Sequence, residues 1–279
     1  PLTGHDGDVT AVAAGALPDG TPVIISGSSD GTVRVWRLAD GTPVGEPLTG
    51  HRIVGAVAVG ALPDGTPVIV SGGGSGDYYS DGTVRVWRLA DGTPVGEPLT
   101  GHDSSVNTVA AGALPDGTPV IVSGDSYGTV RVWRLADGTQ VGGPPTRRHG
   151  MVDALAVGAL PDRTPVIVTG GSDNTVRVWR LADGTPVREP LRGHHGMVNA
   201  VAVGTLPDGT AVIVSGSANG DYYSDGTVRV WRLADGAPVG EPLDLPEPVR
   251  AVVVHNEVIV TAAGADIAVH QPALPKPMR

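Results

Sequence analysis

The chain has 279 residues, 40% of them apolar, no cysteine, and a formal net charge of −10. Lack of cysteine excludes disulfides and thiolate zinc sites, and net acidity without a basic cluster argues against a nucleic-acid partner. Apolar runs such as PVIV and AVVV are strand-sized, well short of the roughly 20 residues of a membrane helix.

Residues 1–46 are the pattern unit. Val9 to Ala14 reads as a buried strand, and LPDGTP at 17–22 supplies the Asp-Gly turn that reverses it. PVIIS at 22–26 is a second strand, SSDG turns the chain again, and the β-branched, aromatic TVRVWRL at 32–38 is a third. ADGTP makes another turn, and VGEPL at 44–48 is expected as a fourth strand, placed at an outer edge by its proline. The unit therefore reads as a four-stranded antiparallel meander. It recurs with tryptophans at 36, 87, 133, 179 and 231, spaced 51, 46, 46 and 52 residues apart. First strands fall near Val9, Val54, Val106, Val152, Val198 and Val249, giving units at about 1–46, 47–97, 98–143, 144–189, 190–241 and 242–279. The sixth lacks the tryptophan and the Pro-Asp-Gly turn, as a terminal unit would. Such units bury their faces only against neighbours, so a single domain over 1–279 is expected. PLTGHDGD, the opening segment, has no Met, basic start or apolar signal core, so the sequence reads as beginning inside a longer protein. With no targeting segment in view, a cytoplasmic location is expected.

In units one to five, a Gly-His pair, a Ser-Gly on the second strand, an aspartate before the third and a tryptophan ending it resemble the WD-repeat β-propellers, although the Trp-Asp dipeptide reads Trp-Arg in every unit. The resemblance implies an all-β fold: a propeller of six four-stranded antiparallel blades, with the N-terminal PLTG completing the last. The alternative is seven blades with one unit missing from this chain. It also implies a non-enzymatic scaffold or sensor domain that binds a protein or peptide through its top-face loops as a monomeric propeller. A lectin-like or small-ligand-binding propeller is the alternative function.

His5, Ser26 and Asp30 have the residue types of a serine hydrolase. The set recurs, however, as His51, Ser71, Asp81 with Trp87 and as His194, Ser215, Asp225 with Trp231, and one active site does not need three copies. With Trp36, the resemblance makes them buried structural tetrads. Unit three carries Tyr127 where the turn aspartate is expected and unit four carries Arg148 in place of the histidine, so both networks are expected to be incomplete. No phosphate loop or catalytic carboxylate pair stands out, and DYYSDG at 77–82 and 221–226 lacks the closing glutamate of a calcium loop. No catalytic residue, metal or cofactor is expected.

Residues that break a repeat are the better candidates for individual function. Units two and five are lengthened between second and third strands by GGSGDYYSDG and SANGDYYSDG. All five tyrosines, Tyr78, Tyr79, Tyr127, Tyr222 and Tyr223, fall in loops of this class, and tyrosine is a preferred interface anchor. Asp77 and Asp221 accompany them and point to a basic partner. Arg52, Arg147 and Arg148 fall in loops joining successive units at the same end. The turn aspartates, Asp19 and Asp40 and their counterparts, ring the opposite end.

Overall fold

The computed structural model describes residues 2–74, 82–142, 150–219, 225–255, 258–264 and 266–270. All regular structure among them is β. The chain forms two compact units, 1–147 and 148–279.

The first unit holds three antiparallel sheets: β1 (Val9–Ala16), β2 (Pro22–Ser28) and β3 (Val33–Arg37); β4 (Ile53–Ala61), β5 (Pro67–Gly74), β6 (Gly82–Arg88) and β7 (Leu99–His102); β8 (Val106–Ala113), β9 (Pro119–Asp125) and β10 (Val130–Arg134). The second holds β11 (Val152–Ala159), β12 (Pro165–Gly171) and β13 (Val176–Arg180); β14 (Met197–Thr205), β15 (Ala211–Asn219), β16 (Asp225–Arg232) and β17 (Leu243–Leu245); β18 (Val249–His255), β19 (Val258–Ala263) and β20 (Asp266–His270). Each sheet is a meander in sequence order, which puts the first-to-second and third-to-fourth strand turns at one end and the second-to-third turn at the other.

Turn chemistry explains the reversals. Asp19 accepts the Thr21 amide at 2.9 Å while Gly20 adopts φ 84°, and the same Asx turn recurs at Asp64, Asp116, Asp162 and Asp208. In the fourth sheet Arg163 occupies the left-handed position with φ 68°, a conformation that disfavours a side chain.

The expected fourth strand forms only in part. In the first sheet it is reduced to isolated bridges, Trp36 with Pro43 and Val33 with Leu48. The cause lies between them: Gly45 turns to φ 70° and Pro47 has no amide to donate. Regular fourth strands appear further along, as β7 and β17.

Neighbouring sheets within a unit meet through a glycine. A Cβ on Gly27 would lie 2.5 Å from Val54, and one on Gly72 2.6 Å from Val106. The tryptophan of each following sheet joins that contact: Trp87 packs with Val23, Ile25, Val35 and Val54 in one apolar cluster. Every first strand also carries a bulge, at Thr10, Gly55, Asn107, Asp153, Asn199 and Arg250.

Candidate functional site

In the first sheet the expected tetrad is assembled. Asp30 lies in the turn after β2 and accepts the Thr32 amide and hydroxyl at 2.8 and 2.7 Å and the Asp6 amide at 3.0 Å. Burial alone would raise its pKa, but those hydrogen bonds and the one from His5 hold it far below the usual carboxylate range. An ionised Asp30 accepts a hydrogen bond from His5 Nδ1–H, 2.9 Å away. His5 Nε2 is then an acceptor for the Ser26 hydroxyl at 2.7 Å, and Ser26 Oγ accepts the Trp36 indole at 2.8 Å. The hydroxyl that a hydrolase would use as nucleophile is engaged on both sides and 4% exposed.

The second sheet repeats the core of this circuit, His51 to Ser71 at 2.9 Å and Trp87 to Ser71 at 3.0 Å, with Thr83 3.3 Å from His51 Nδ1. Asp81 lies outside the described residues.

The third sheet corrects the expectation of an incomplete network. Asp125, at the end of β9, binds His102 Nδ1 at 2.7 Å, and Ser123 bridges His102 and Trp133 at 2.7 and 2.9 Å. His102 is 1% exposed and Asp125 and Ser123 are 0% exposed, making this circuit fully enclosed. The aspartate has moved onto the strand, and its carboxylate still caps the turn by accepting the amides of Tyr127 and Thr129.

In the fourth sheet Thr169 replaces the serine and accepts Trp179 at 3.0 Å, while Asp173 pairs with Arg177 at 2.9 Å. Arg148 lies outside the described residues. The fifth sheet brings together His194, Ser215 and Trp231, at 2.7 and 2.8 Å, and corrects the placement of Asp225, which is exposed at the head of β16. Ser217 takes its place at His194 Nδ1, 2.9 Å away. Asp125 and Ser217 occupy the same position, two residues after the tetrad serine; that spacing is the signal that would have found them.

Burial, reinforced by Arg85, pushes His51 down to about 4; burial, with Arg229 and His195, does the same to His194. Burial raises Asp153 to about 6, and its Oδ2 has no hydrogen-bond partner among the described residues.

Of the residues singled out for partner binding, Tyr78, Tyr79, Asp77, Arg147, Arg148, Asp221, Tyr222 and Tyr223 lie outside the described residues. Tyr127 stands in the turn between β9 and β10, 48% exposed. Arg52 is an exposed residue immediately before β4, its amide bonded to the Gly74 carbonyl at 3.0 Å. The turn aspartates at the other end are fully exposed, and bonds from the second residue onward lower their pKa, as Thr42 does for Asp40.

The family model "WD domain, G-beta repeat" matches five segments, residues 1–37, 41–88, 92–134, 147–180 and 184–232. Among curated proteins, none matches the chain. Among solved structures, the chain is similar to the crystal structure of RRP9 WD40 repeats, with TM-score 0.73 and 23% identity over 97% of this chain and 78% of that one. It is also similar to the structure of U3-55K, with TM-score 0.72 and 22% identity over 97% and 79%.

Proposed function

Because the chain belongs to the WD-repeat family, we propose that it is a non-enzymatic interaction domain that binds a protein or peptide through the end of its sheets bearing the second-to-third strand turns. The observation that carries this reading is the distribution of aromatic side chains. All five tryptophans are buried at 4–7% exposure, while Tyr127 projects at 48% from a turn whose backbone Asp125 holds. An exposed aromatic on a fixed turn offers contact area at low entropic cost. In the sequence the insertions carrying Tyr78, Tyr79, Tyr222 and Tyr223 fall between second and third strands as Tyr127 does, and Asp77 and Asp221 beside them favour a basic partner. Replacing all five tyrosines with serine should change unfolding free energy by no more than about 0.5 kcal/mol per exposed site while abolishing capture of the native partner in a pull-down scored by mass spectrometry. Retained capture by the folded variant would place the binding surface elsewhere.

The family implies that the sheets are propeller blades, with a ring of six or a ring of seven that lacks one unit as the two alternatives. Val9 and Val12 on β1 are 55% and 67% exposed, against 0% and 8% for their counterparts Val54 and Val57, and Ile267 and Val269 on β20 are 76% and 67% exposed. Fusing a second copy of residues 1–46 ahead of Pro1 would cover the β1 face with the glycine-bearing second strand it matches. The fused chain should melt at a higher temperature than the original; an equal or lower value contradicts the seventh blade.

A further inference from the structure

The Val-Gly-Glu-Pro stretch of the outer segment occurs at Gly45, Gly96 and Gly240, but in the fourth sheet the glycine is replaced by Arg188. That arginine lies across the third-to-fourth strand turn of the next sheet. Its Nη2 donates to the carbonyls of Leu233 and Ala234 at 2.7 and 3.0 Å. Asp235 faces its charge and also holds Arg232 at 2.7 Å. The guanidinium and its stem lie against Gly236, where an added Cβ would come within 3.1 Å of Nη1 and 3.3 Å of Cδ.

Between the second and third sheets the same surroundings exist without the arginine. Gly96 stands in place of Arg188, and Leu135, Ala136, Asp137 and Gly138 stand in place of the Leu233–Gly236 turn. These residues, with Glu97 and Leu99, line a cleft of about 80 Å³. A Cβ on Gly138 would meet Leu99 alone, so the space that the Arg188 stem fills beside Gly236 is empty. Among the described residues no donor reaches the carbonyls of Leu135 and Ala136. The charged groups facing the cleft are Glu97, Asp137 and Arg134, the last being the counterpart of Arg232, which shares its aspartate with a second arginine. The turn after β6 repeats this set with Gly45, Leu89, Ala90 and Asp91, and Gly92 likewise meets only Leu48.

We propose that the cleft between the second and third sheets is a receptor for an arginine side chain carried on an exposed segment of a partner protein, with Arg188 as the internal version of that guest. The guanidinium would donate to the Leu135 and Ala136 carbonyls and face Asp137, using paired, directional donors that an ammonium lacks. This surface lies at the opposite end of the sheets from Tyr127, so it is separate from the binding surface proposed above.

The test is an amide-detected NMR titration of the whole chain with acetyl-Gly-Arg-Gly-amide, against the same peptide carrying citrulline, which keeps the shape and loses the charge. The arginine peptide should shift the amides of Ala136 to Gly138 and bind about tenfold or more tightly than the citrulline peptide. Asp137→Asn retains an oxygen to cap Thr139 and should weaken binding about fivefold or more. Arg188→Ala should add a site, read as new shifts at Ala234 to Gly236. Absence of shifts at Ala136 to Gly138, equal binding of citrulline, or an Arg188→Ala chain that folds without gaining a site would each overturn the proposal.

Discussion

Trp133→Ala and Asp125→Ala should each lower unfolding free energy by about 3–5 kcal/mol, the first by opening a large cavity and the second by stranding a buried imidazole. The third sheet should be the most sensitive because its circuit is closed: Trp133 to Ser123, Ser123 to His102 and His102 to Asp125, all at 2.7–2.9 Å. Asp173→Ala in the fourth sheet is the matched comparison. Asp173 is partly exposed, with a 25% exposed side chain and a surface-type pairing to Arg177, so its loss should cost about 1 kcal/mol or less. Urea unfolding followed by tryptophan fluorescence reads both. Equal losses at Asp125 and Asp173 would mean that enclosure of the circuit does not set its strength.

Acid should destabilise the protein between pH 6.5 and 4, through two histidines. His51 and His194 are held neutral down to about 4, whereas in the unfolded chain they take up protons near 6.5. Over that interval the unfolded state binds more protons, so stability present above pH 6.5 is lost as pH falls, by roughly 3 kcal/mol for each histidine. Asp153 acts in the opposite sense. Its carboxyl, raised to about 6, keeps its proton in the folded state after the unfolded chain has released it, so its contribution weakens as pH rises from 4 to 6. The depressed carboxylates Asp30 and Asp125 act below this range. Urea midpoints from pH 4 to 8 should therefore rise with pH, flatten in His51→Gln and His194→Gln, and rise more steeply in Asp153→Asn, which should also be more stable than the parent above pH 6. A wild-type profile flat from 4 to 6.5 would remove the histidines from this role.

The tetrad serines and tryptophans were legible in the sequence because each sits at a fixed step from a turn, so Ser26 and Trp36 predict Ser71 and Trp87 directly. The partner of the imidazole was legible for His5, which meets Asp30 as expected, but not for His102 or His194. It can come from the turn, as Asp30 does, or from the end of the second strand, as Asp125 and Ser217 do, and these sites are neighbours across a strand end though apart in sequence. The bulges left no mark because Thr10, Gly55, Asn107, Asp153, Asn199 and Arg250 share no chemistry; the backbone alone defines them. The outer segment was misjudged as continuous strand because VGEPL has strand-forming ends, while the break depends on the φ of Gly45. The Arg188 clip was visible as a departure from Val-Gly-Glu-Pro, but its meaning needed the carbonyls of the following sheet.

Gly27 under Val54, Gly72 under Val106, Gly170 under Val198 and Gly216 under Val249 are one joint used four times, each too close to admit a Cβ. A gene encoding such joints can gain or lose a whole unit by unequal recombination, and the new neighbours will fit without further mutation. Growth at the first strand stays open, because Val9 and Val12 present the valine half of the joint uncovered. The last sheet is different. Ala262 stands in register where the others have glycine, opposite Ala251 as Gly27 is opposite Ala11, and a valine set like that of β4 would collide with its methyl group. Lineages of this protein should therefore vary in unit number on the N-terminal side of that sheet, with the tyrosine insertions copied or lost along with the units that carry them.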